Sequence, residues 1–185
     1  SIESSEANGN TVTYAPTPKE QVVNINDEAS AANAIANPTD LPQTPTFTWK
    51  QGTKPNTSSA GVKTGTVVVR FPDQTEREVE ATVIVKEAKP AAPEISQWQN
   101  GNVKVTPAET NSGDKVTVPL RNGNVVLSKN DTGWAITNNV PEGVVVRDNK
   151  LEIPRNLVNE NVTATSTKGE GQVASESDAA THTLL

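Results

Sequence analysis

Short runs of β-branched residues, separated by turn residues, recur along the whole chain. The clearest run covers residues 61–71, where Thr and Val alternate, and a second covers residues 79–85. They flank FPDQTER, a segment whose Pro72 and Asp73 favour a turn. Alternation is typical of a half-buried strand, because successive side chains point to opposite faces of a sheet. The two runs therefore predict a β-hairpin.

Three further elements are predicted in the first half of the chain. Residues 22–25 and 47–50 have the composition of strands. Between them, NDEASAANAIANP predicts one or two helical turns, with Asn26 or Asp27 as the N-cap and Pro38 ending the helix. The following LPQTP is similar to a sortase signal, but Pro45 stands where that motif has glycine and no apolar tail follows. We expect it to form a turn.

The second half of the chain shows the same pattern at a spacing of roughly ten residues. Tight-turn signals such as Asn122-Gly123 and Asp148-Asn149 separate its apolar runs. Short strands at this spacing are typical of an immunoglobulin-like β-sandwich. The predicted strands are residues 95–99, 103–106, 115–120, 124–129, 133–137, 144–147, 150–153, 161–166 and 180–184.

The clearest boundary is KEAKPAAPEI, residues 86–95, which carries two prolines within four residues. Proline fixes φ and restricts the residue before it, so this segment predicts a short, stiff connector. The sequence therefore predicts two modules, residues 1–88 and 89–185. The expected fold is all-β: two tandem immunoglobulin-like β-sandwich modules, the first with a short helical segment.

Composition narrows the class of protein. The chain has no cysteine and no methionine, and only 3% of its residues are aromatic. Without cysteine, the modules depend on sheet pairing and small cores, with no disulfide or thiolate metal site. The net charge of −6 is spread over both modules, and the sequence predicts no basic patch for nucleic acid and no membrane span. Its polar start and its end just after a predicted strand indicate an excised piece of a longer protein.

Ordered motifs in residues 34–85 resemble the Rib (Rib/alpha-like) repeat of Gram-positive surface proteins. Leu41-Pro42 is followed by Phe47 and Trp49, then by a segment from proline to glycine at 55–61. GTVVVRFPDQ at 65–74 and EATVIV at 80–85 complete the set. The sequence departs from the family at Gln74, where glycine is common.

The second module is similar to bacterial immunoglobulin-like repeats of the same surface proteins. The residues that carry this resemblance are NVKVTP, GDKVTVPLRNGNVVLSKNDTGWAI, VVVRDNKLEIP and NVTATSTKGEG. Together the resemblances imply a non-catalytic stalk or spacer and adhesion region, extracellular and anchored to the cell wall through sequence outside this chain. Its partners would be neighbouring modules of the same chain. The alternative is a specific ligand-binding module for a host extracellular matrix protein or a cell-surface glycan.

The three tryptophans are the main candidates for binding, since indoles can stack on sugars or bases. We expect Trp49 and Trp134 to be core tryptophans, one per sandwich, because burying an indole removes a large apolar area from water. Trp98 follows the connector. We expect it either to pack the joint between the modules or to form a ligand surface.

Catalytic and metal-binding chemistry has little support. His182 is the single histidine, and Glu76, Glu78 and Glu80 alternate on what is predicted to be a solvated strand face. The Asn-rich turns at 129–133 and 146–150 offer oxygen atoms, but their composition is that of ordinary turns. Lys104 and Lys115 are candidates for an isopeptide cross-link without an assignable partner. We expect no enzyme activity, no cofactor and no metal.

Overall fold

The computed structural model describes residues 3–5, 11–13 and 15–185. By its contacts the chain divides into two units, residues 1–87 and 88–185. The regular structure of both units is almost entirely strand, with isolated turns of 3₁₀ helix. The all-β prediction, with a short helical segment in the first module, is confirmed.

Among the described residues, six strands lie in the first unit, together with two 3₁₀ helices at Ala32–Ala34 and Pro38–Asp40. Its strands are β1 (Glu3–Ser5), β2 (Thr11–Thr13), β3 (Gln21–Asn24), β4 (Thr46–Trp49), β5 (Gly61–Arg70) and β6 (Glu76–Lys86). β1 pairs with β2, and the other four form a sheet in the order β3-β6-β5-β4. β4, β5 and β6 are antiparallel neighbours, whereas β3 runs parallel to β6.

The predicted hairpin is the centre of this sheet. β5 and β6 pair over ten residues, from Gly61 opposite Val85 to Arg70 opposite Glu76. Alternation places Val67 and Val69 on the buried face and the glutamates of β6 on the exposed face. The turn is shorter than predicted, because β5 ends at Arg70 and β6 already begins at Glu76. Asp73 Oδ1 stabilises this tight turn by accepting hydrogen bonds from Thr75 N and Oγ1 at 2.9 and 2.6 Å.

A segment without strands covers the buried face of the sheet. Ala34, Ile35 and Leu41 pack with Val67 and Phe71 in one cluster, and a smaller cluster of Ala29 with β6 side chains continues it. Small alanines let the chain lie close to the sheet. The core of the first unit therefore lies between a sheet and a loop that contains 3₁₀ turns.

The predicted caps of the helical segment are wrong. Asn26 has φ +69 and lies in a tight turn after β3, where its N–H donates to Thr57 O. The first 3₁₀ helix begins six residues after Asn26, and Pro38 begins the second 3₁₀ helix instead of ending the first. Proline fits the first turn of a helix because no N–H is needed there.

Ten strands lie in the second unit, together with 3₁₀ helices at Arg155–Leu157 and Gly171–Val173. They are β7 (Glu94–Gln97), β8 (Val103–Thr106), β9 (Lys115–Pro119), β10 (Asn124–Asn130), β11 (Gly133–Ile136), β12 (Val145–Arg147), β13 (Lys150–Ile153), β14 (Asn161–Lys168), β15 (Ser175–Glu176) and β16 (Ala180–Thr183). Sequence reasoning missed β15, which has only two residues.

The second unit is a two-sheet sandwich. One sheet has the order β12-β13-β8-β7, and the other has the order β11-β10-β9-β14-β15, with β16 also paired to β14. Both contribute to a single apolar cluster, with Val103, Val105, Leu151 and Ile153 from the first sheet facing Val116 and other residues of the second. The inward positions alternate with outward polar positions along each strand, as expected for a sandwich.

The proline-containing connector is fastened to the second unit. Ala91 N donates to Asn111 O at 2.7 Å, and Asn111 Nδ2 donates to Lys89 O at 3.0 Å. Lys89 Nζ also lies 2.7 Å from Asp178 Oδ1. The segment from Lys89 onwards is thus part of the fold of the second unit.

Candidate functional site

Trp98 lies in the turn that joins β7 to β8. Trp98 N donates to Asn102 O at 2.8 Å, and Gly101 N donates back to Trp98 O at 2.9 Å. Gly101 has φ +88, a conformation that favours glycine. The turn holds the indole against the outer face of the β12-β13-β8-β7 sheet, where Nε1 donates to Leu151 O at 3.3 Å. The side chain is half-buried in this position.

Two cations lie over the indole ring. Lys104 Nζ is 4.5 Å from the ring centroid, and the Arg147 guanidinium carbon is 5.9 Å from it. β8 and β12 bring these side chains to the same face. Lys104 lies opposite Glu152, Glu152 lies opposite Val145, and Arg147 is two positions after Val145 on β12 and so shares its face. Each cation over an aromatic face at an exposed site contributes about 0.5–1 kcal/mol.

The Glu152 carboxylate lies at the centre of this cluster and is saturated with donors. Asn102 and Asn100 donate to Oε2 at 2.9 and 3.0 Å. Arg147 donates to Oε1 from Nε at 3.1 Å and from Nη2 at 2.9 Å. The Glu152 side chain is only 8% exposed, whereas that of Arg147 is 62% exposed. The Asn102, Asn100 and Arg147 hydrogen bonds lower the pKa of Glu152 to about 2.

We call the set Trp98, Asn100, Lys104, Arg147 and Glu152 the Trp98 surface. A shallow groove of about 380 Å³ opens on it, lined by Trp98, Gln99, Asn100, Arg147 and Glu152. Because Glu152 offsets only one of the two cations, the surface carries a local positive charge in an acidic chain. An apolar indole beside an exposed guanidinium can bind a polar or acidic ligand.

The other two tryptophans are also half-buried. The Trp49 indole contacts both core clusters of the first unit, and its Nε1 donates to Ala29 O at 3.0 Å. Trp134, on the edge strand β11, packs against the core of the second unit and lines a groove of about 300 Å³ beside Asn149. The roles assigned to the three tryptophans, including a joint role for Trp98, stay predictions.

The candidates for other chemistry are dispersed. His182 lies on β16 opposite Val162, and in the described part of the chain no three side chains capable of binding a metal ion lie together. In the 129–133 turn, Asn130 Oδ1 accepts from Thr132 N and Gly133 N, which is turn chemistry. Among residues 3–5, 11–13 and 15–185, no helix is long and apolar enough to cross a membrane.

The two lysines considered for a cross-link have other contacts. Lys104 lies over the Trp98 ring, and Lys115 Nζ lies 3.3 Å from Glu170 Oε1, whose side chain is largely exposed. The contacts of these lysines are those of surface cations, and a cross-link through either of them stays untested.

Sequence reasoning missed Asn100, Arg147 and Glu152. The Asp148-Asn149 turn predicts a two-residue hairpin, and its register alone puts Arg147 and Glu152 on one face. The pairing of β13 with β8, which brings Asn100 and Trp98 to Glu152, joins residues about fifty positions apart, as the Asn100–Glu152 hydrogen bond shows. No local signal in the chain could have revealed that contact.

Comparisons with known proteins show which family the first unit is similar to. A family model described as Rib domain matches residues 11–87. A solved Rib structure from Streptococcus pyogenes is 42% identical and covers 39% of this chain and 91% of its own, with a TM-score of 0.38. No curated protein matches the chain.

Proposed function

Because the chain belongs to the Rib domain family, a group of structural repeat domains of Gram-positive cell-surface proteins, we propose that it is a stalk and adhesion region. In this proposal the two units hold a functional part of the parent protein away from the cell wall, or form part of an adhesive array. Anchoring to the wall would come from other parts of that protein. The family is not a known enzyme family, which agrees with a structural role.

The fastened connector is the observation that carries the spacer role. A spacer transmits distance only if its joints resist bending, and a free linker of several residues would act as a random coil. Here the hydrogen bonds between Asn111 and the Lys89–Ala91 segment hold this part of the connector against the second unit. Pro90 and Pro93, both buried, restrict it further.

Small-angle X-ray scattering of the full chain tests this proposal. If the connector resists bending, the wild type should give a distance distribution with a well-defined maximum dimension. Asn111→Ala combined with Pro90→Gly should broaden the distance distribution, because it frees the connector. Pro141→Gly, an exposed loop proline in the same unit, is the matched control and should change nothing. A wild-type distance distribution as broad as that of the double variant would refute the spacer role.

The Trp98 surface supports a second candidate function, recognition of a host matrix protein or a cell-surface glycan. The half-buried indole and the exposed Arg147 guanidinium lie on an open sheet face, where a ligand can reach them. Binding to arrays of neutral and acidic glycans and to immobilised matrix proteins is the assay. Trp98→Ala and Arg147→Ala should abolish any binding that this surface provides, whereas Arg121→Ala should leave it intact. Equal binding by all variants would exclude the surface.

A further inference from the structure

We propose that Asn122 is a site of spontaneous deamidation and isoaspartate formation in the folded protein, whereas Asn100, in nearly the same local sequence, is protected by its contacts. Both asparagines precede a glycine, in QNGN at 99–102 and RNGN at 121–124. Glycine has no Cβ to hinder its backbone nitrogen, so both dipeptides are intrinsically reactive. The structure makes them different.

The reaction needs a free nucleophile and a free electrophile. The backbone nitrogen of the glycine loses its proton and attacks Cγ of the preceding asparagine, forming an N–Cγ bond. The Cγ–Nδ2 bond breaks, and ammonia leaves with the proton taken up. Water then opens the resulting succinimide ring at either carbonyl, giving aspartate or isoaspartate. Anything that holds the glycine N–H or the asparagine amide in place slows the first step.

No hydrogen bond among the described residues restrains the Asn122 side-chain amide or the Gly123 N–H. They lie between β9 and β10, and both are exposed. Within the described residues, no hydrogen bond involves the Asn122 side chain, and the Gly123 N–H donates none; only the Gly123 carbonyl is engaged, by Leu120 N at 2.9 Å. A Cβ built on Gly123 meets no atom within 4 Å, so no group from elsewhere in the fold crowds the glycine on that side.

Asn100 and Gly101 are restrained at both ends. The Asn100 amide donates to Glu152 Oε2 at 3.0 Å, and its carbonyl oxygen accepts from Asn102 N at 2.9 Å. The nucleophile is occupied too, since Gly101 N donates to Trp98 O at 2.9 Å. Attack on Cγ requires these bonds to break first. The carboxylate that fixes Asn100 belongs to the Trp98 surface, so the same cluster that orients the indole also protects the amide.

The consequence is a slow, irreversible change confined to one turn. Conversion adds a negative charge at Asn122, and isoaspartate also adds a methylene to the backbone between β9 and β10. At Asn100 the same change would place a second carboxylate beside Glu152 and break the cluster. The chain thus keeps the reactive dipeptide intact where its contacts depend on it.

Mass spectrometry of the folded full chain, incubated at neutral and mildly alkaline pH, tests the proposal. Trypsin separates the two sites, since Asn122 and Asn100 fall on different peptides, and digestion in heavy-oxygen water marks deamidation that occurs during handling. Asn122 is expected to convert about tenfold faster than Asn100 or more, the factor for one charge-assisted hydrogen bond that must break first. Both rates should rise with pH, because the attacking nitrogen must be deprotonated.

The same protein unfolded in urea is the control. There the two sites should convert at similar rates, because their flanking residues are nearly identical. Asn122→Ser should remove the signal from its peptide and leave the Asn100 peptide unchanged. Equal rates in the folded protein would overturn the proposal, as would an Asn122 that stays intact after the urea-unfolded sample has converted. Asn8-Gly9 lies outside the described residues and is followed in its own peptide.

Discussion

Gly65 on β5 is the position where one added methyl group should damage the first unit most. Its backbone is not left-handed, so the requirement for glycine comes from space alone. A Cβ at this position would lie 2.5 Å from Thr53 O, 2.9 Å from Pro55 Cδ and 3.0 Å from Trp49 Cζ3. Ordinary van der Waals contact requires about 3.5–4.0 Å between carbon atoms. Gly65→Ala therefore forces the strand and the loop apart.

The Thr53 backbone and the Trp49 ring, which lie next to Gly65, are both held in place by hydrogen bonds. Thr53 N and Oγ1 donate to Lys50 O at 2.9 and 2.8 Å, and Thr66 N donates to Thr53 Oγ1 at 3.1 Å. Trp49 is fixed from the other side by its hydrogen bond to Ala29 O. Overpacking against groups held in this way costs about 3 kcal/mol, the upper end of the usual range. Alanine regains about 0.5–1 kcal/mol because it is less flexible than glycine when unfolded.

The net loss for Gly65→Ala is about 2 kcal/mol or more, which lowers the melting temperature of the first unit by roughly 10–15 °C. Hydrogen exchange measured by mass spectrometry on the full chain separates the units, because peptides from β5 and β6 should lose protection while those from β9 and β10 keep it. Gly52→Ala is the control: φ is +81 and no atom lies within 4 Å, so only backbone strain of about 1 kcal/mol applies. If Gly65→Ala proves no more destabilising than Gly52→Ala, the steric reasoning is refuted.

Three further variants test other parts of the two units. Glu152 has a pKa of about 2 when folded, so its contribution to stability is present above the unfolded value of about 4.5 and is lost as pH falls towards 2. The urea midpoint of the wild type should therefore fall over this pH range. Glu152→Gln should have a lower midpoint than the wild type at neutral pH, and its midpoint should depend less on pH in acid. Gln74 has φ +73, so Gln74→Gly should raise the melting temperature of the first unit through about 1 kcal/mol of relieved strain, and a lower value would show that its hydrogen bond from Arg70 dominates. Asn130→Ala removes the acceptor of the β10–β11 turn and should cost about 1–2 kcal/mol in chemical denaturation; an unchanged midpoint would contradict the role of that acceptor.

The strands could be predicted because their signals are local. Alternation and turn residues sufficed for the β5–β6 hairpin and for most strands of the second unit, whose hairpins β9–β10, β10–β11 and β12–β13 join strands that are close in sequence. The left-handed Gln74 was also visible, as a departure from a position where the family has glycine. The helical caps failed because small alanines pack against the sheet, and that packing sets the 3₁₀ turns in place of local capping preferences.

The Trp98 surface could be predicted only in part. Trp98 itself stood out because indoles are scarce in the chain. Its neighbours did not, since Lys104, Arg147 and Glu152 have the pattern of ordinary outward residues on three separate strands. Their meeting depends on the β13–β8 pairing, a contact of high sequence separation that no periodicity encodes. The need for glycine at position 65 was not predicted either, because the irregular loop that carries Thr53 and Pro55 over β5 has no hydrophobic periodicity that would place it there.

The parallel pairing of β3 with β6 gives the first unit a defined response to mechanical load. A force applied before β3 and after β6 pulls the two strands along their length in opposite directions. Their register, from Gln21 opposite Val83 to Asn24 opposite Lys86, then places the ladder in shear, so its hydrogen bonds must rupture together. An antiparallel hairpin pulled from its open end would instead unzip one bond at a time. A module on the outside of a cell, exposed to flow, can therefore carry tension through this strand pair while its core stays closed.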